Sequence, residues 1–503
     1  MFIIFILQLL YVLGQDDDPI HTSVLYGSSD LGYYYVNIYV GNPPQKQSVI
    51  IDTASSITAF PCDACDQESQ CGNHVDQYYN RTNSSTYKEL DCNSSFGECS
   101  CLKCFNKQCI FSISYSEGSY LEGFYVNDQV IFGDLLMEAK TSQNESISKK
   151  DRSVRSVFGC TTEETYLFKT QLVNGILGLS PKTNTTLAFP SIVDDIYNQE
   201  NGMKLFFSIC IGRINGYMTI GQYDFSRHQK NSTYYTINYF PSQNHPFYVV
   251  KISEIRVNNK TILPGSDLQQ GEGTFICSGC TIIYAHPHVT RELVNVFVCD
   301  SPNCPNMEYF EDTACYIYDQ TLHGSYEQFI SFFPTYEFVM DNNFILDWTP
   351  KDYLTKSIKQ DDAYCLPVQK YYGNRKVFLG QVWMRNWDIG FDKENQTLTF
   401  VRSNCSSDNL KHNFTADDLF LEELNQSNIT LKKRYPPPID IDQEFAYESV
   451  RVIAVFIISI IIIILIFCIR RIYLNRKIQI VSKIPEDEDE TQKTVQSKVF
   501  VAQ

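Results

Sequence analysis

A chain of 503 residues is longer than one hydrophobic core sustains, so two or three core-forming units are expected. Hydrophobic residues make up 43% of it and aromatic residues 14%, which supplies ample core, leans toward strands and excludes general disorder. The formal net charge of −17 argues against a nucleic-acid partner and fits a soluble body in an acidic or extracellular setting.

The first element is MFIIFILQLLYVLGQ, residues 1–15, an apolar run too short to span a bilayer and followed at once by Asp16-Asp17-Asp18; it reads as a signal peptide. Short runs rich in β-branched and aromatic residues come next, among them Tyr33–Val40, Val49–Ile51, Phe111–Tyr115 and Tyr217–Ile220. Gly, Asn and Pro clusters separate them at intervals typical of an all-β fold. Beyond Asn404 the chain turns polar, passes Pro436-Pro437-Pro438 and reads as a stalk over 406–450. Residues 452–469, VIAVFIISIIIIILIFCI, are 18 apolar residues flanked by Arg451 on one side and by Arg470, Arg471, Arg476 and Lys477 on the other. They predict a single transmembrane helix with the N-terminus outside, and 470–503 is then a cytoplasmic tail. Twelve N-x-S/T sites, at Asn80, Asn83, Asn93, Asn144, Asn184, Asn231, Asn259, Asn395, Asn404, Asn413, Asn425 and Asn428, all precede that span. So do 17 of the 18 cysteines, the pattern of a glycosylated, disulfide-bonded chain in an oxidising compartment. The location expected is type I single-pass, at the cell surface or in an endosomal, vacuolar or other secretory-pathway membrane.

Chemistry concentrates in VIIDTASS, Val49–Ser56, where an aliphatic strand delivers Asp52 into a turn followed by hydroxyls. A buried carboxyl needs donors, and Ser55 with the turn amides supplies them. On five segments in order, YYVNIYVGNPPQ (34–45), DTASS (52–56), ISYSEGSYLEG (113–123), NGILGLS (174–180) and FLGQVWMRNWDIGFD (378–392), the chain resembles the pepsin-like aspartic proteases. The resemblance implies a bilobal β fold, with an N-terminal lobe at 25–205 carrying a flap at 111–126 and a C-terminal lobe at 206–405. Between the lobes it implies a cleft for a peptide or protein ligand. In that family one aspartate from each lobe holds and activates water. The two share a proton because close like charges do not both ionise, an effect for which this family is itself the standard illustration. Asp52 takes the first place, supported by Thr53, Ala54 and Ser55, and Tyr115, Gly118 and Ser119 form the flap tip.

The second aspartate is missing. The family's C-terminal Asp-Thr-Gly-Thr turn falls on Cys277-Ser278-Gly279-Cys280, so Cys277 stands where the acid belongs. One carboxylate without a partner loses general acid–base help of ~10²–10⁴-fold, and a thiol that is mostly neutral at acidic pH does not replace it. C-x-x-C leaves three readings open: a local disulfide or free thiols, a redox pair, or half a metal site with His286 and His288. Ala54 replaces a glycine and narrows the expected path of a bound backbone. Ala59 stands where many members place the Trp that supports the flap tyrosine, which some membrane-bound relatives also lack.

The eight cysteines between Cys62 and Cys109 resemble the insert of nepenthesin-like members and are expected in disulfides. Likeness to β-secretase-like members implies Cys210 with Cys405 and Cys315 with Cys365, with Cys299 and Cys304 closing a small loop and Cys160 left as the odd thiol. No resident metal or cofactor is expected. The function expected is a membrane-anchored, peptide-binding member of the family with impaired catalysis; the alternative is an endopeptidase active at acidic pH through Asp52.

Overall fold

The computed structural model describes residues 20–405 apart from short internal stretches, the longest being 134–151. The signal peptide expected at 1–15, the stalk at 406–450, the membrane span at 452–469 and the tail at 470–503 lie outside the described residues. Among the described residues no helix is long and apolar enough to cross a membrane. The fold is mostly β, and the longest described helix, Pro287–Asn295, has nine residues.

Fifteen strands make one sheet that draws on both halves of the sequence. Near its centre Tyr33–Val40 pairs antiparallel with Gln45–Asp52, Tyr35 facing Ile50. The aromatic and β-branched residues of YYYVNIYV fit a pleated surface covered on both sides, and all but Tyr33 and Tyr39 are buried. His21–Ser28 lies between Tyr33–Val40 and Ile214–Ile220, with His21 facing Ile220, so the first described strand ties distant parts of the sequence into one sheet. Phe206–Ile211, Trp387–Asp392 and Thr397–Arg402 continue it.

The run Val49–Ile51 is apolar at successive positions because its strand is buried on both faces beside a parallel neighbour. That neighbour is Gly175–Gly178, with Gly178 opposite Asp52. The second half repeats the arrangement: Thr274–Ile276 runs parallel to Val377–Leu379, with Ile276 opposite Leu379. Each inner strand therefore ends in a turn at an equivalent place, residues 52–55 in one half and 277–280 in the other.

The flap hairpin is longer than the 111–126 expected from sequence. Gln108–Ser114 pairs with Tyr120–Phe132, Ser114 facing Tyr120. At its tip the Tyr115 amide donates to the Ser119 carbonyl at 2.8 Å and the Gly118 amide to the Tyr115 carbonyl at 3.0 Å. Gly118 adopts φ +90°, a conformation glycine reaches without strain, and this lets the tip reverse within five residues.

Sulfur chemistry corrects one expectation. Cys160 is not the odd thiol: it is bonded to Cys62, because the parallel pairing of Ala59–Pro61 with Val154–Glu164 puts Phe60 opposite Cys160, and Cys62 follows two residues later. Three bridges lie within the insert, Cys65–Cys71, Cys92–Cys104 and Cys101–Cys109. Cys210 is joined to Cys405, Cys299 to Cys304, and Cys315 to Cys365, which face each other across antiparallel strands.

The Cys62–Cys160 bridge spans 98 positions and constrains the unfolded chain over that length. Replacing both cysteines by Ala is expected to lower stability by roughly 2–4 kcal/mol in denaturant titration. An unchanged midpoint, or mass mapping that joins Cys160 to another cysteine, would contradict this assignment.

Candidate active site

Asp52 sits at the end of its strand, 6% exposed. The turn supplies its hydrogen bonds: the Ala54 amide donates to Oδ1 at 2.9 Å, and the Ser55 hydroxyl donates to Oδ2. The Gly279 amide from the opposite turn also donates to this carboxylate. Burial nevertheless outweighs these donors and pushes the Asp52 carboxyl above the ordinary aspartate range. Gly279 is required by proximity, since a Cβ there would lie 2.5 Å from the Asp52 Cγ.

The two turns are bound to each other reciprocally. The Thr53 amide donates to Ser278 Oγ at 3.0 Å, and the Ser278 amide donates to Thr53 Oγ1 at 3.0 Å. Each hydroxyl then donates across to the opposite strand, Thr53 Oγ1 to the Ile276 carbonyl and Ser278 Oγ to the Ile51 carbonyl, both at 2.9 Å. Gln381 adds a donor to the Ser278 carbonyl at 2.7 Å. The pairing fixes the relative position of residues 52 and 277 with every buried polar group of the exchange satisfied.

Cys277 and Cys280 are joined by a disulfide with Cα atoms 5.3 Å apart. In the first turn Ser55 donates to the acid three residues before it; in the second a covalent bond links the same two positions. Cys277 Sγ lies 4.0 Å from Asp52 Oδ1. A disulfide sulfur carries no proton, so this is a packing contact and not a donated hydrogen bond. Cys277 is packed with Phe275 and Phe378, and Ala54, Cys280, Tyr284 and Tyr371 border that cluster. The place of the second acid is thus apolar, and its two sulfurs are bonded to each other. His288 turns to Asp267 at 3.0 Å instead, and His286 accepts from the His288 amide.

The flap reaches the acid through Ser55, whose hydroxyl lies 3.5 Å from the Tyr115 hydroxyl. The tyrosine ring packs on Phe168, with centroids 4.9 Å apart, and burial raises its pKa. Phe168 supplies the apolar support that Ala59 does not. No sequence signal marks it, because it arrives from the short helix Tyr166–Thr170. Sequence reasoning also passed over Glu117. Its carboxyl, accepting from Ser119, is held above the usual range chiefly by burial, with the charge of Asp52 adding to it. Tyr284 from the opposite half is pushed up to about 12 by burial, with the Glu117 charge adding to it. Glu117, Tyr284 and Asp52 therefore share one electrostatic environment, which a flap glutamate in a sequence does not reveal.

Residues 34–222 match the family model described as xylanase inhibitor N-terminal, and residues 247–402 match xylanase inhibitor C-terminal. With the paired turns and the flap, these matches place the chain in the pepsin-like aspartic protease family. It is 26% identical to plasmepsin V of Plasmodium falciparum over 82% of this chain and 76% of that protein. It is 24% identical to aspartic proteinase 36 of Arabidopsis thaliana over 76% of each chain. Aspartic protease 5 of Toxoplasma gondii is 36% identical over 40% of this chain, a match spanning 20% of that protein's length.

A carboxyl whose folded pKa is raised holds its proton where the unfolded chain has lost it, so it favours folding at low pH and opposes it as pH rises through the raised pKa. Asp52→Asn is therefore expected to gain stability relative to the wild type progressively from about pH 4 upward. Denaturant midpoints measured for both proteins between pH 4 and 8 check this, and a constant difference would show that burial does not raise the Asp52 pKa.

Proposed function

We propose that this protein is a membrane-anchored, secretory-pathway member of the aspartic protease family that binds extended peptides between its two turns and its flap without hydrolysing them. The observation that carries the proposal is the Cys277–Cys280 disulfide at the second acid's place. Hydrolysis in this family needs a group that takes a proton from water while its partner gives one. A disulfide does neither, and it lacks the charge that fixes the water. Asp52 alone, buried with a raised pKa, is left as an acid or a base but not both at once. What survives is a binding apparatus of the paired turns and the Tyr115 flap.

Anchoring follows from the apolar run 452–469 and its basic flank, and the secretory setting from the disulfides and sequons. Asn231 and Asn259 lie exposed in left-handed turn positions, open to a glycosyltransferase. Enzymatic deglycosylation should lower the apparent mass, and no shift at all would remove the secretory reading.

A second reading has Glu117 behind it. A flap carboxyl that feels the Asp52 charge could serve as the missing partner and make the chain an active endopeptidase at acidic pH. Under the first reading, full-length wild-type protein shows no pepstatin-sensitive peptide cleavage between pH 3 and 7, and Cys277→Asp with Cys280→Thr creates it. The threonine is needed because a lone new carboxylate would have no hydroxyl donor in its turn. Wild-type cleavage abolished by Glu117→Gln would establish the second reading in its place.

A further inference from the structure

The Cys277–Cys280 pair differs from the other disulfides among the described residues in what surrounds it. Its sequence separation of three is the shortest of them, so it constrains the unfolded chain least. Nor does the turn need it for shape. The Cys280 amide donates to the Cys277 carbonyl at 3.2 Å, the Cys277 amide to the Leu379 carbonyl at 3.0 Å, and the Gln381 amide to the Cys280 carbonyl at 2.8 Å. With the Ser278–Thr53 exchange, these bonds hold both residues in place whether the sulfurs are joined or not.

The two sulfurs are unequal. Cys277 is 2% exposed, whereas Cys280 is half-buried and follows the half-buried Gly279. A nucleophile from solvent therefore meets Cys280 before the buried Cys277. Behind it, Asp52 Oδ1 lies 4.0 Å from Cys277 Sγ, the sulfur that would leave. We propose that Cys277–Cys280 is a thiol–disulfide exchange site for a cysteine-bearing peptide segment, with Cys280 the attacked sulfur, Cys277 the leaving sulfur and Asp52 the acid that protonates it.

The step balances. The peptide thiolate forms a bond to Cys280 Sγ, the Cys277–Cys280 bond breaks, and its electron pair leaves on Cys277 Sγ, which takes the Asp52 proton. The products are a mixed disulfide at Cys280, a Cys277 thiol and an Asp52 carboxylate. A second thiol on the same peptide then gives up its proton, attacks the peptide sulfur and displaces Cys280, which takes that proton and leaves as a thiol, so that two electrons pass from the peptide dithiol to the protein. Without one, Cys277 returns its proton to Asp52 and reverses the first step. Exchange is fastest when the leaving thiol is readily stabilised and the attacked sulfur accessible. Burial raises the Asp52 carboxyl above the ordinary aspartate range, and with Oδ1 4.0 Å from Cys277 Sγ this suits a proton donor to the leaving sulfur.

The substrate class rests on the peptide-binding reading, but the exchange chemistry does not. The test exposes full-length protein to reduced glutathione, a small peptide thiol, between pH 6 and 8, quenches with acid and maps the mixed disulfides by mass. Cys92–Cys104 is an internal reference, since Cys104 is more exposed than Cys280 and would react first if access alone decided. The expected result is glutathione on Cys280 at least about tenfold faster than on Cys104, and a loss of roughly tenfold or more in that rate in Asp52→Asn. Glutathione on Cys104 first, on Cys277, or at equal rates in wild type and Asp52→Asn overturns the proposal; the first two outcomes need no variant. Equilibrium binding of cysteine-free peptides is measured alongside. Exchange at Cys280 without peptide binding would remove the peptide-binding reading alone, and binding without exchange would remove only the exchange.

Discussion

The site depends on the reciprocal hydrogen bonds between Thr53 and Ser278. Two amide-to-hydroxyl bonds between these residues, and two more donated by their hydroxyls to the Ile276 and Ile51 carbonyls, fasten one turn to the other. All four are buried, so losing either hydroxyl would leave amides and carbonyls without partners and cost about 1–3 kcal/mol for each orphaned group. That constraint sets how far residue 52 stands from residue 277, whichever side chains they carry. It explains how the second acid can be replaced while the frame around it stays intact.

The replacement is chemically coherent. In the first turn a carboxylate and a hydroxyl three residues apart satisfy each other; in the second the same spacing is closed by a sulfur–sulfur bond. Both solutions settle buried groups, one by a hydrogen bond from hydroxyl to carboxyl and the other by removing polarity altogether. Exchanging only one cysteine would leave a lone thiol or a lone carboxyl against Phe275 and Phe378. On the proposed reading, the sulfur solution costs the acid–base pair. What remains is an isolated buried carboxyl facing an apolar wall, with a flap glutamate farther out in the same field.

Much of this was legible in the sequence where local chemistry decides. The aromatic and β-branched Tyr33–Val40 and the apolar run ending in Asp52 announce buried strands, and ISYSEGSYLEG announces a hairpin with a glycine-containing tip. The C-x-x-C of the second turn stood out because its turn keeps the spacing of the first, Cys277 and Cys280 falling where Asp52 and Ser55 fall. What escaped were contacts made over long separations. Cys62–Cys160 follows from a parallel pairing that no local pattern specifies. Phe168 supports Tyr115 from a five-residue helix too short for periodicity to mark. Glu117 and Tyr284 meet electrostatically across halves of the sequence. The chain ends were the reverse case, since the apolar runs at 1–15 and 452–469 are plain in sequence and lie outside the described residues.

The central claim is that Asp52 stands alone, and its titration is the direct test. Carboxyl ¹³C chemical shifts of full-length protein labelled at aspartate, followed from pH 3 to 8 and assigned through Asp52→Asn, report whether its proton is shared. The account predicts one sigmoidal step, with a midpoint above that of an exposed aspartate and a shape unaltered by Glu117→Gln. Two macroscopic steps at Asp52 that collapse to one in Glu117→Gln would reveal a working carboxyl pair and contradict it.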